Sequence, residues 1–436
     1  MLDLNLAPRS KTISAILDLP GSKSIANRVL PIAAIANGVS VISNVPLVSE
    51  DVNLMLDALK CLGINIKQLE LSKDNTYASY AIEGCNLKFP KTNVTLFCGN
   101  SGTTIRFLTA ILGLNSYVDN CVLTGIERMK ERPIGDLIDA LSTLGAQIKY
   151  QENIGYPPLL INSFKDAKSD VVKISGKVSS QYITGLLIGL STFNRNVTLE
   201  ITDHLISKPY VDMTVNLLKQ FGATINNQDN SYQVIGHGGL TAYNYSVEPD
   251  ASSASYFLAL GAINGEITVN NLSLDSLQGD KNFAKILAQM GALVTYNPNS
   301  VTVKSSGELN GININMEDMP DVAMTIAVVA LFAQGVTTIN GISSWKVKET
   351  DRLNAMYTEL TKLGAKVIIT DSSITINPPR VINPNIAIDT YNDHRMAMCF
   401  SLVAAYGVPV TINNYQCVGK TFANYFDLFN QLCYAL

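Results

Sequence analysis

The sequence is poor in charge and in histidine, and it contains no long uninterrupted apolar run. Charged residues make up 16% and hydrophobic residues 47%, so a large core is expected and disorder is not. No apolar stretch reaches the roughly 18 residues that a membrane helix needs, which excludes an ordinary membrane span. Residues 1–11 lack the pattern of a secretory signal, so a cytoplasmic protein is expected.

Paired cysteines are also missing. The seven cysteines form no C-x-x-C motif and the chain has only 3 histidines, which argues against a zinc site or a disulfide framework. Scattered thiols fit a reducing compartment. The net charge of −4 argues against nucleic acid as a partner. Neither the P-loop pattern nor the G-x-G-x-x-G fingerprint occurs.

A repeated pattern organises the chain. A helix with a polar start and an apolar body recurs at intervals of roughly 70 to 80 residues. The repeated segments begin at Gly21, Gly99, Val178, Pro249, Pro320 and Asn392. A second helix follows and ends in an L-G or F-G or M-G step, where glycine in a left-handed turn stops the helix and a strand begins. These glycines are Gly63, Gly145, Gly222, Gly291 and Gly364.

Six βα-rich units in two groups of three predict an α/β (α+β) protein with two similar domains. The first helices are apolar nearly all round, so they are expected to be buried inside a domain with sheets around them. We place one domain at 22–247 and the other at 1–21 with 248–436. The functional site is expected in the cleft between the domains.

Polar residues at the starts of the first helices form one candidate constellation. Lys23, Gly102 and Gln181 lie among serine, threonine and asparagine residues there. Free N–H groups and the helix dipole suit an anion, although Ser, Thr and Asn are also ordinary helix caps. Lys23 opposes the dipole, which is understandable if an anion binds there. In the later half Asp250 is interpreted as a cap and Asp321 as functional.

Cations at the starts of the second helices form another constellation, in the segments RMKERP, SKPY, KVKETDR and GKTF. Helical spacing predicts that Lys348, Glu349 and Arg352 lie on neighbouring faces of one helix. A solvated, salt-bridged surface is the alternative. Recurrence of cations at Arg28, Arg106, Arg128, Arg395 and Lys420 favours a ligand with several negative charges, such as two phosphates and a carboxylate.

The segments LPGSKSIANR, GNSGTTIR, RMKERPIG, SGKVSSQ, SKPYVDMT, MPDVAMT, WKVKETDRL, YNDHRMAM and GKTF resemble those of the EPSP synthase family, in the family's order. The resemblance implies an inside-out α/β barrel in each domain, built of three repeated βαβαββ-type units with buried parallel helices and sheets outside. It implies transfer of the carboxyvinyl group of phosphoenolpyruvate to the 5-hydroxyl of shikimate 3-phosphate, in the shikimate pathway to aromatic amino acids. No metal or organic cofactor is implied. A monomer inhibited by glyphosate is expected.

The resemblance also implies site residues. Shikimate 3-phosphate is expected to contact Lys23, Ser24, Arg28, Ser179, Ser180, Gln181, Ser207, Tyr210, Asp321, Ser344 and Lys348. Phosphoenolpyruvate is expected to contact Lys23, Gly102, Arg128, Gln181, Arg352, Arg395 and Lys420. The implied catalytic residues are Asp321 as base for the hydroxyl, Glu349 as the group that exchanges protons with C3, Lys23 at the bridging phosphate oxygen, and Lys348.

Two positions depart from the family pattern: Ser344 stands where asparagine is expected, and Phe107 stands where proline is expected. Two rival functions were considered. A UDP-N-acetylglucosamine enolpyruvyl transferase would have a cysteine in the GIERMKERPIG loop, whereas Cys121 lies earlier, in a strand-like run. A non-catalytic anion-binding repeat protein would tolerate the loss of Asp321 and Glu349.

Overall fold

The computed structural model describes residues 2–9, 12–166 and 168–434, so residues 1, 10 and 11 of the N-terminal segment lie outside the described residues. The chain divides into two compact units. One is Gly21–Val247, and the other combines Met1–Pro20 with Glu248–Leu436. In the described ranges no helix has the length and apolar character required to cross a bilayer.

The unit Gly21–Val247 contains three four-stranded sheets with one topology. Numbered along the chain, their orders are β14-β3-β5-β4, β6-β7-β9-β8 and β10-β11-β13-β12, and each has one parallel pair followed by two antiparallel pairs. The strands are β3 Asn37–Pro46, β4 Asn65–Leu71, β5 Tyr77–Cys85, β6 Thr95–Phe97, β7 Cys121–Thr124, β8 Gln147–Tyr150, β9 Leu159–Asn162, β10 Val171–Ile174, β11 Val197–Ile201, β12 Thr224–Gln228, β13 Ser231–Ile235 and β14 Tyr245–Ser246. The helices are α1 Lys23–Ile35, α2 Glu50–Cys61, α3 Gly102–Gly113, α4 Glu127–Lys130, α5 Gly135–Leu144, α6 Ser180–Leu190 and α7 Lys208–Gln220.

The second unit repeats this topology in the sheets β2-β15-β17-β16 and β19-β21-β23-β22, with a small β18-β20 pair and a shorter sheet β24-β25-β1. The strands are β1 Leu4–Leu6, β2 Ile13–Leu17, β15 Gly265–Asn270, β16 Leu293–Asn297, β17 Ser300–Lys304, β18 Leu309–Asn310, β19 Asn313–Asn315, β20 Ala333–Gln334, β21 Thr337–Asn340, β22 Lys366–Ile369, β23 Ser373–Asn377, β24 Ile386–Ile388 and β25 Val410–Ile412. The helices are α8 Ala251–Asn264, α9 Phe283–Gln289, α10 Ala323–Val329, α11 Arg352–Lys362, α12 His394–Tyr406 and α13 Tyr425–Tyr434, with 3-10 helices at Gly279–Asn282, Ala330–Phe332, Ser343–Val347 and Tyr415–Lys420.

The predicted helix-stop glycines are confirmed. All five have a positive φ, at 85° for Gly63, 107° for Gly145, 89° for Gly222, 109° for Gly291 and 98° for Gly364. A strand begins two residues after each of them, at the first residues of β4, β8, β12, β16 and β22. Only glycine adopts this backbone region without a steric penalty, so the same residue type ends the second helix in each of these repeats.

The first helices of the repeats are buried, as their apolar composition predicts. Every residue of α3 is buried, and so is every residue of α12 except the last, Tyr406. Close packing of α6 on α3 requires glycine, because a Cβ at Gly185 would lie 3.0 Å from the carbonyl oxygen of Arg106, and one at Gly189 would lie 3.0 Å from that of Ala110. The chain is therefore mixed α/β, with its most apolar helices inside each unit.

Candidate functional site

In the unit Gly21–Val247, the start of α1 holds a partly buried ion pair. Ser22 caps the helix through the N–H of Ile25, and the ammonium of Lys23 lies 3.2 Å from a carboxylate oxygen of Asp51 on α2. A cation at a helix start is disfavoured by the dipole, and Asp51 offsets part of that cost. Sequence reasoning missed Asp51, although the acidic pair at the start of α2 was a visible signal.

Arg28 lies one turn further along α1 and is fully buried. Its Nε donates to the Thr214 hydroxyl at 2.9 Å, and its two terminal nitrogens donate to the backbone carbonyls of Ser24 at 2.7 Å and Tyr210 at 3.2 Å. The guanidinium also lies over the rings of Tyr210 and Phe107. Burial lowers the pKa of Arg28 to about 10, which still leaves it charged at neutral pH.

These contacts join α1 to α7, whose start holds two residues that are expected to bind shikimate 3-phosphate. Ser207 precedes α7 with a φ of 54°, a conformation uncommon for a non-glycine residue. Tyr210 lies in the first turn of α7, and its carbonyl accepts from Arg28. Arg28, Ser207 and Tyr210 are thus close to one another.

The starts of α3 and α6 are joined in the same way. Arg106 of α3 donates to the side-chain oxygen of Gln181 at 2.6 Å, and Asn27 of α1 donates to the Thr103 hydroxyl at 2.7 Å. Ser179 caps α6 through the N–H of Gln181, so this serine serves as an ordinary cap, and Ser180 is the first residue of that helix. The predicted residues Gly102, Ser179, Ser180 and Gln181 are therefore brought together with the start of α1.

Arg128 lies on the short helix α4, in a loop beside the start of α3. Ile126 donates its backbone N–H to the carbonyl of Gly99 at 3.1 Å, which fixes the loop against the turn that precedes Gly102. The side chain of Arg128 is 37% exposed and pairs with Glu131 at 2.8 Å. It is the most accessible of the cations predicted to bind ligand in this unit.

The second unit has a denser cluster, centred on Arg352 at the start of α11. Its buried guanidinium contacts three carboxylates: Asp393 at 2.7 Å, Asp321 at 2.9 Å and Glu349 at 2.9 Å. Arg395 at the start of α12 donates to the other oxygen of Asp321 at 2.9 Å and to the Tyr256 hydroxyl at 3.2 Å. Asp321 thus bridges two arginines.

Two lysines complete this cluster. The ammonium of Lys348 lies 3.6 Å from Asp321, and that of Lys420 lies 3.8 Å from Glu349. Four predicted cations and both predicted catalytic carboxylates of this unit are therefore in contact. Such an arrangement can grip a carboxylate or phosphate, because guanidinium groups make paired, charge-assisted hydrogen bonds.

Burial and charge act against each other on Asp321. Burial by itself raises the pKa of this carboxyl, but Arg395, Lys348 and Arg352 together outweigh burial and hold the pKa well below its ordinary value. Burial lowers the pKa of Lys348, while Asp321 opposes that change. Asp321 is therefore ionised in this structure, and as it stands it is a weak base.

One detail of the sequence interpretation is corrected. Lys348 and Glu349 do not lie on the helix with Arg352, because a 3-10 helix ends at Val347 and α11 begins only at Arg352, with Asp351 as its cap. The Glu349–Arg352 contact forms nonetheless, from the non-helical segment. Asp321, which was interpreted as functional and not as a cap, does not cap α10, since that helix begins after Val322 and the Asp321 side chain faces the arginines.

Ser344 is buried in the 3-10 helix beside Trp345. The indole N–H of Trp345 donates to the carbonyl of Pro320 at 2.7 Å, which fixes the backbone immediately before Asp321. Sequence reasoning missed this role, and it also missed the ion pair that Asp393, the cap of α12, forms with Arg352. The single tryptophan next to KVKETDR was the available signal.

The repeated sheets and basic helix starts define a class of protein by comparison. The enolpyruvyl transferase NikO from Streptomyces tendae matches this fold with a TM-score of 0.75 at 15% identity, over 99% of this chain and 97% of that one. An EPSP synthase structure from Acinetobacter baumannii matches with a TM-score of 0.82 at 25% identity, over 99% and 98% of the two chains. The fold is that of the enolpyruvyl transferases.

The chain belongs to the EPSP synthase (3-phosphoshikimate 1-carboxyvinyltransferase) family, whose model matches residues 8–429. It is 48% identical to a 3-phosphoshikimate 1-carboxyvinyltransferase of Colwellia psychrerythraea, over 99% of this chain and 100% of the relative. It is 45% identical to a chloroplastic enzyme of the same name from Arabidopsis thaliana, over 97% of this chain and 83% of the relative.

Proposed function

We propose that this protein transfers the carboxyvinyl group of phosphoenolpyruvate to the 5-hydroxyl of shikimate 3-phosphate and releases phosphate. The observation that carries the proposal is the cluster in which Arg352 and Arg395 share Asp321, with Glu349 and Lys420 beside them. Family membership supplies the identity of the substrates. We further propose the inside-out barrel arrangement of the family for each unit, with residues 22–247 forming the shikimate-phosphate domain.

In the proposed reaction, the 5-hydroxyl oxygen bonds to C2 of phosphoenolpyruvate while C3 gains a proton. The resulting tetrahedral intermediate then loses phosphate as its C2–O bond breaks, and C3 gives up a proton to restore the double bond. Glu349 exchanges the C3 proton, Asp321 accepts the hydroxyl proton, and Lys23 donates to the bridging phosphate oxygen. General acid–base steps of this kind contribute about 10²- to 10⁴-fold each.

The low pKa of Asp321 implies an order of events. Arg352 and Arg395 are paired with Asp321 before substrate is present. The carboxylate of phosphoenolpyruvate competes for these guanidinium groups, and each contact that it takes weakens their hold on Asp321. The pKa of Asp321 then rises towards a value useful for a base, since burial alone raises it. Substrate binding in this proposal activates the base.

The residues proposed to bind substrate come from both units. Arg28, Ser179, Ser180, Gln181, Ser207 and Tyr210 are proposed to hold shikimate 3-phosphate, with Ser24, Ser344 and Lys348. Arg128, Gly102 and Lys420 are proposed to hold phosphoenolpyruvate, with Arg352 and Arg395. Buried arginine and hydroxyl groups at helix starts suit a phosphate dianion.

Cys121 weighs against the rival acceptor, UDP-N-acetylglucosamine. It is the first residue of β7 and is buried, and burial raises its thiol pKa to about 12. A thiol in that position is poorly suited to proton transfer at neutral pH. The loop that follows, which contains Arg128, has no cysteine.

The deciding experiment is a phosphate-release assay with phosphoenolpyruvate and each acceptor. We expect release with shikimate 3-phosphate and none with UDP-N-acetylglucosamine. The reverse result would assign the rival function. Binding of both substrates without any release, in a preparation that is folded by circular dichroism, would favour the non-catalytic anion-binding protein.

We also propose that glyphosate competes with phosphoenolpyruvate and that Gly102 provides space for it. Replacing Gly102 with alanine is expected to raise the glyphosate inhibition constant strongly. An unchanged constant would contradict the placement of Gly102 in the phosphoenolpyruvate pocket. The proposed monomer and cytoplasmic location are checked by light scattering and by cell fractionation.

A further inference from the structure

Arg132, in the loop after α4, is a buried cation that the proposed reaction does not use. Its side chain is only 4% exposed. One terminal nitrogen donates to the carbonyl of Asn100 at 2.9 Å and to the Asn100 side-chain oxygen at 3.2 Å. The Nε–H is also buried and has no hydrogen-bond acceptor among the residues that the structure describes. Arg132 therefore grips the turn that leads into α3.

The other terminal nitrogen of Arg132 occupies the space beside Gly102. A Cβ built on Gly102 would lie 2.8 Å from this nitrogen, closer than real Cβ atoms approach a neighbour, and 3.2 Å from the guanidinium carbon, which is a tight contact. On the other side, the Gln181 side-chain oxygen would lie 3.2 Å from the same Cβ. Gly102 is thus enclosed by two polar side chains.

Arginine tips usually move aside for a methyl group, but this one is held. To retreat from Gly102, the guanidinium would have to give up its bonds to Asn100 or distort the turn. Gln181 cannot yield easily either, because Arg106 donates to its oxygen at 2.6 Å. Leaving a buried guanidinium with fewer acceptors is costly, so adding a side chain at Gly102 is expected to carry a penalty that depends on Arg132.

We propose that Arg132 is a positioning residue that sets the specificity of the Gly102 pocket, by holding the Asn100–Gly102 turn and by filling the space in which a larger residue would have to sit. This proposal rests on the proposed function for its substrate, phosphoenolpyruvate. The shape of the pocket depends on the pair formed by Gly102 and Arg132, and not on the glycine alone.

A double-mutant cycle tests the pair. Gly102→Ala, Arg132→Gln and the double variant are compared with the wild type for KM of phosphoenolpyruvate, KM of shikimate 3-phosphate, kcat and the unfolding midpoint. Contacting side chains couple by about twofold to more than 100-fold. We expect Gly102→Ala to raise the phosphoenolpyruvate KM in both backgrounds. The factor of increase should be smaller by about threefold or more in the Arg132→Gln background than in the wild type.

Controls separate positioning from general damage. Lys130→Gln alters an ion-paired cation of the same loop, and we expect the Gly102→Ala penalty to stay unchanged in that background. Arg132→Gln itself is expected to raise the phosphoenolpyruvate KM more than the shikimate 3-phosphate KM. Arg132→Lys, which keeps the positive charge and can still donate to Asn100, is expected to recover part of that loss.

Equal penalties for Gly102→Ala in the wild-type and Arg132→Gln backgrounds would overturn the proposal. If Arg132→Gln fails to fold, Asn100→Ala, which removes one acceptor, serves in the same cycle and is expected to reduce the penalty. An inactive wild type would refute the proposed function separately. The unfolding midpoints would then decide, because relief of the Gly102→Ala destabilisation by Arg132→Gln does not depend on turnover.

Discussion

The two units build their helix starts differently on the same repeated sheet. In Gly21–Val247, serine caps α1, α3 and α6 through Ser22, Ser101 and Ser179. In the other unit, aspartate caps α8 and α12 through Asp250 and Asp393. A hydroxyl satisfies the free N–H groups without adding charge, so the dipole of the helix remains available to an anion.

The aspartate caps have another consequence. The Asp393 carboxylate accepts hydrogen bonds from the backbone N–H of Arg395 and from the guanidinium of Arg352. The cap therefore also holds the Arg352 guanidinium at the start of α12. The caps of these first helices are thus neutral hydroxyls in Gly21–Val247 and carboxylates in the other unit, where one cap already pairs with an arginine. We call Gly21–Val247 the open unit for its neutral caps, and the other unit the preloaded unit for its aspartate caps. The comparison teaches that one repeated scaffold can cap its helix starts either with neutral groups or with carboxylates that hold a cation.

The largest expected effect comes from removing the acid–base group of the preloaded unit. Glu349→Gln should lower kcat by about 10²- to 10⁴-fold, because the amide cannot exchange a proton with C3. Arg352 keeps Asp321 and Asp393 as partners, so binding of phosphoenolpyruvate should change little. Steady-state kinetics and calorimetry measure the two quantities.

The exposed Glu308, outside the cluster, provides the control, and Glu308→Gln should leave kcat unchanged. Retained turnover in Glu349→Gln would show that Glu349 pairs with Arg352 without exchanging a proton in the reaction.

Arg28→Lys tests the open unit and should have the next largest effect. A lysine cannot reproduce the bonds to Thr214, Ser24 and Tyr210. We expect the KM of shikimate 3-phosphate to rise about 10- to 100-fold, with stability lower by about 1–3 kcal/mol in urea unfolding. Arg195→Lys, at a side chain that is 37% exposed, is the matched control. A lower stability with an unaltered KM would assign Arg28 to structure alone.

Tyr391→Phe tests how the preloaded unit holds its arginines in place. The Tyr391 hydroxyl donates a hydrogen bond to the buried Glu359 carboxylate at 2.8 Å. The backbone of Tyr391 has a φ of 52° and lies just before the segment that carries Asp393 and Arg395. Losing the bond should raise the KM of phosphoenolpyruvate about two- to fivefold, since one buried hydrogen bond contributes about 1 kcal/mol. Tyr357→Phe, on α11, should change neither the KM of phosphoenolpyruvate nor that of shikimate 3-phosphate. If the two variants behave alike, the Glu359 contact does not position Arg395.

The smallest effect is a pH dependence of stability at Asp280. Burial and then the charge of Asp321 raise the pKa of this carboxyl to about 7, while a hydrogen bond from Ser252 opposes the change. The folded state therefore holds a proton that the unfolded state releases near its ordinary pKa, about 4. Stability from this proton is present at low pH and is lost as pH rises towards 7.

We expect the wild-type unfolding midpoint to fall by a few degrees relative to Asp280→Asn between about pH 5 and pH 8, measured by thermal denaturation. Parallel pH profiles for the two proteins would show that Asp280 is ionised throughout. The preloaded unit would then carry one more negative charge than we infer.

The repeat was predictable from sequence because its signals are local. A glycine after an amphipathic helix has one physical interpretation, and it was correct at Gly63 and at each later copy. The order of the strands within a sheet was not predictable, because β14 and β2 join their sheets from distant parts of the chain. Such pairings depend on contacts that no local pattern encodes.

The site was predictable in its residue types but not in its pairing. The resemblance named Arg352, Asp321 and Glu349, and the structure brings them together. The helical spacing used for Lys348 was wrong, because a change from 3-10 to α-helix at this point depends on tertiary contacts such as that of Trp345 with Pro320. In the RMKERP segment, the resemblance implied a ligand-binding role for Arg128 and none for Arg132.

The pairing of β1 with β25 has a consequence for synthesis of the chain. Leu4–Leu6 is made first, but its partner Val410–Ile412 emerges about 400 residues later, which at 5–20 residues per second takes roughly 20–80 s. The unit Gly21–Val247 contains all of its own strands once Val247 has left the ribosome. It can therefore fold during translation, whereas β1 must wait until β25, the last strand among the described residues, has been made.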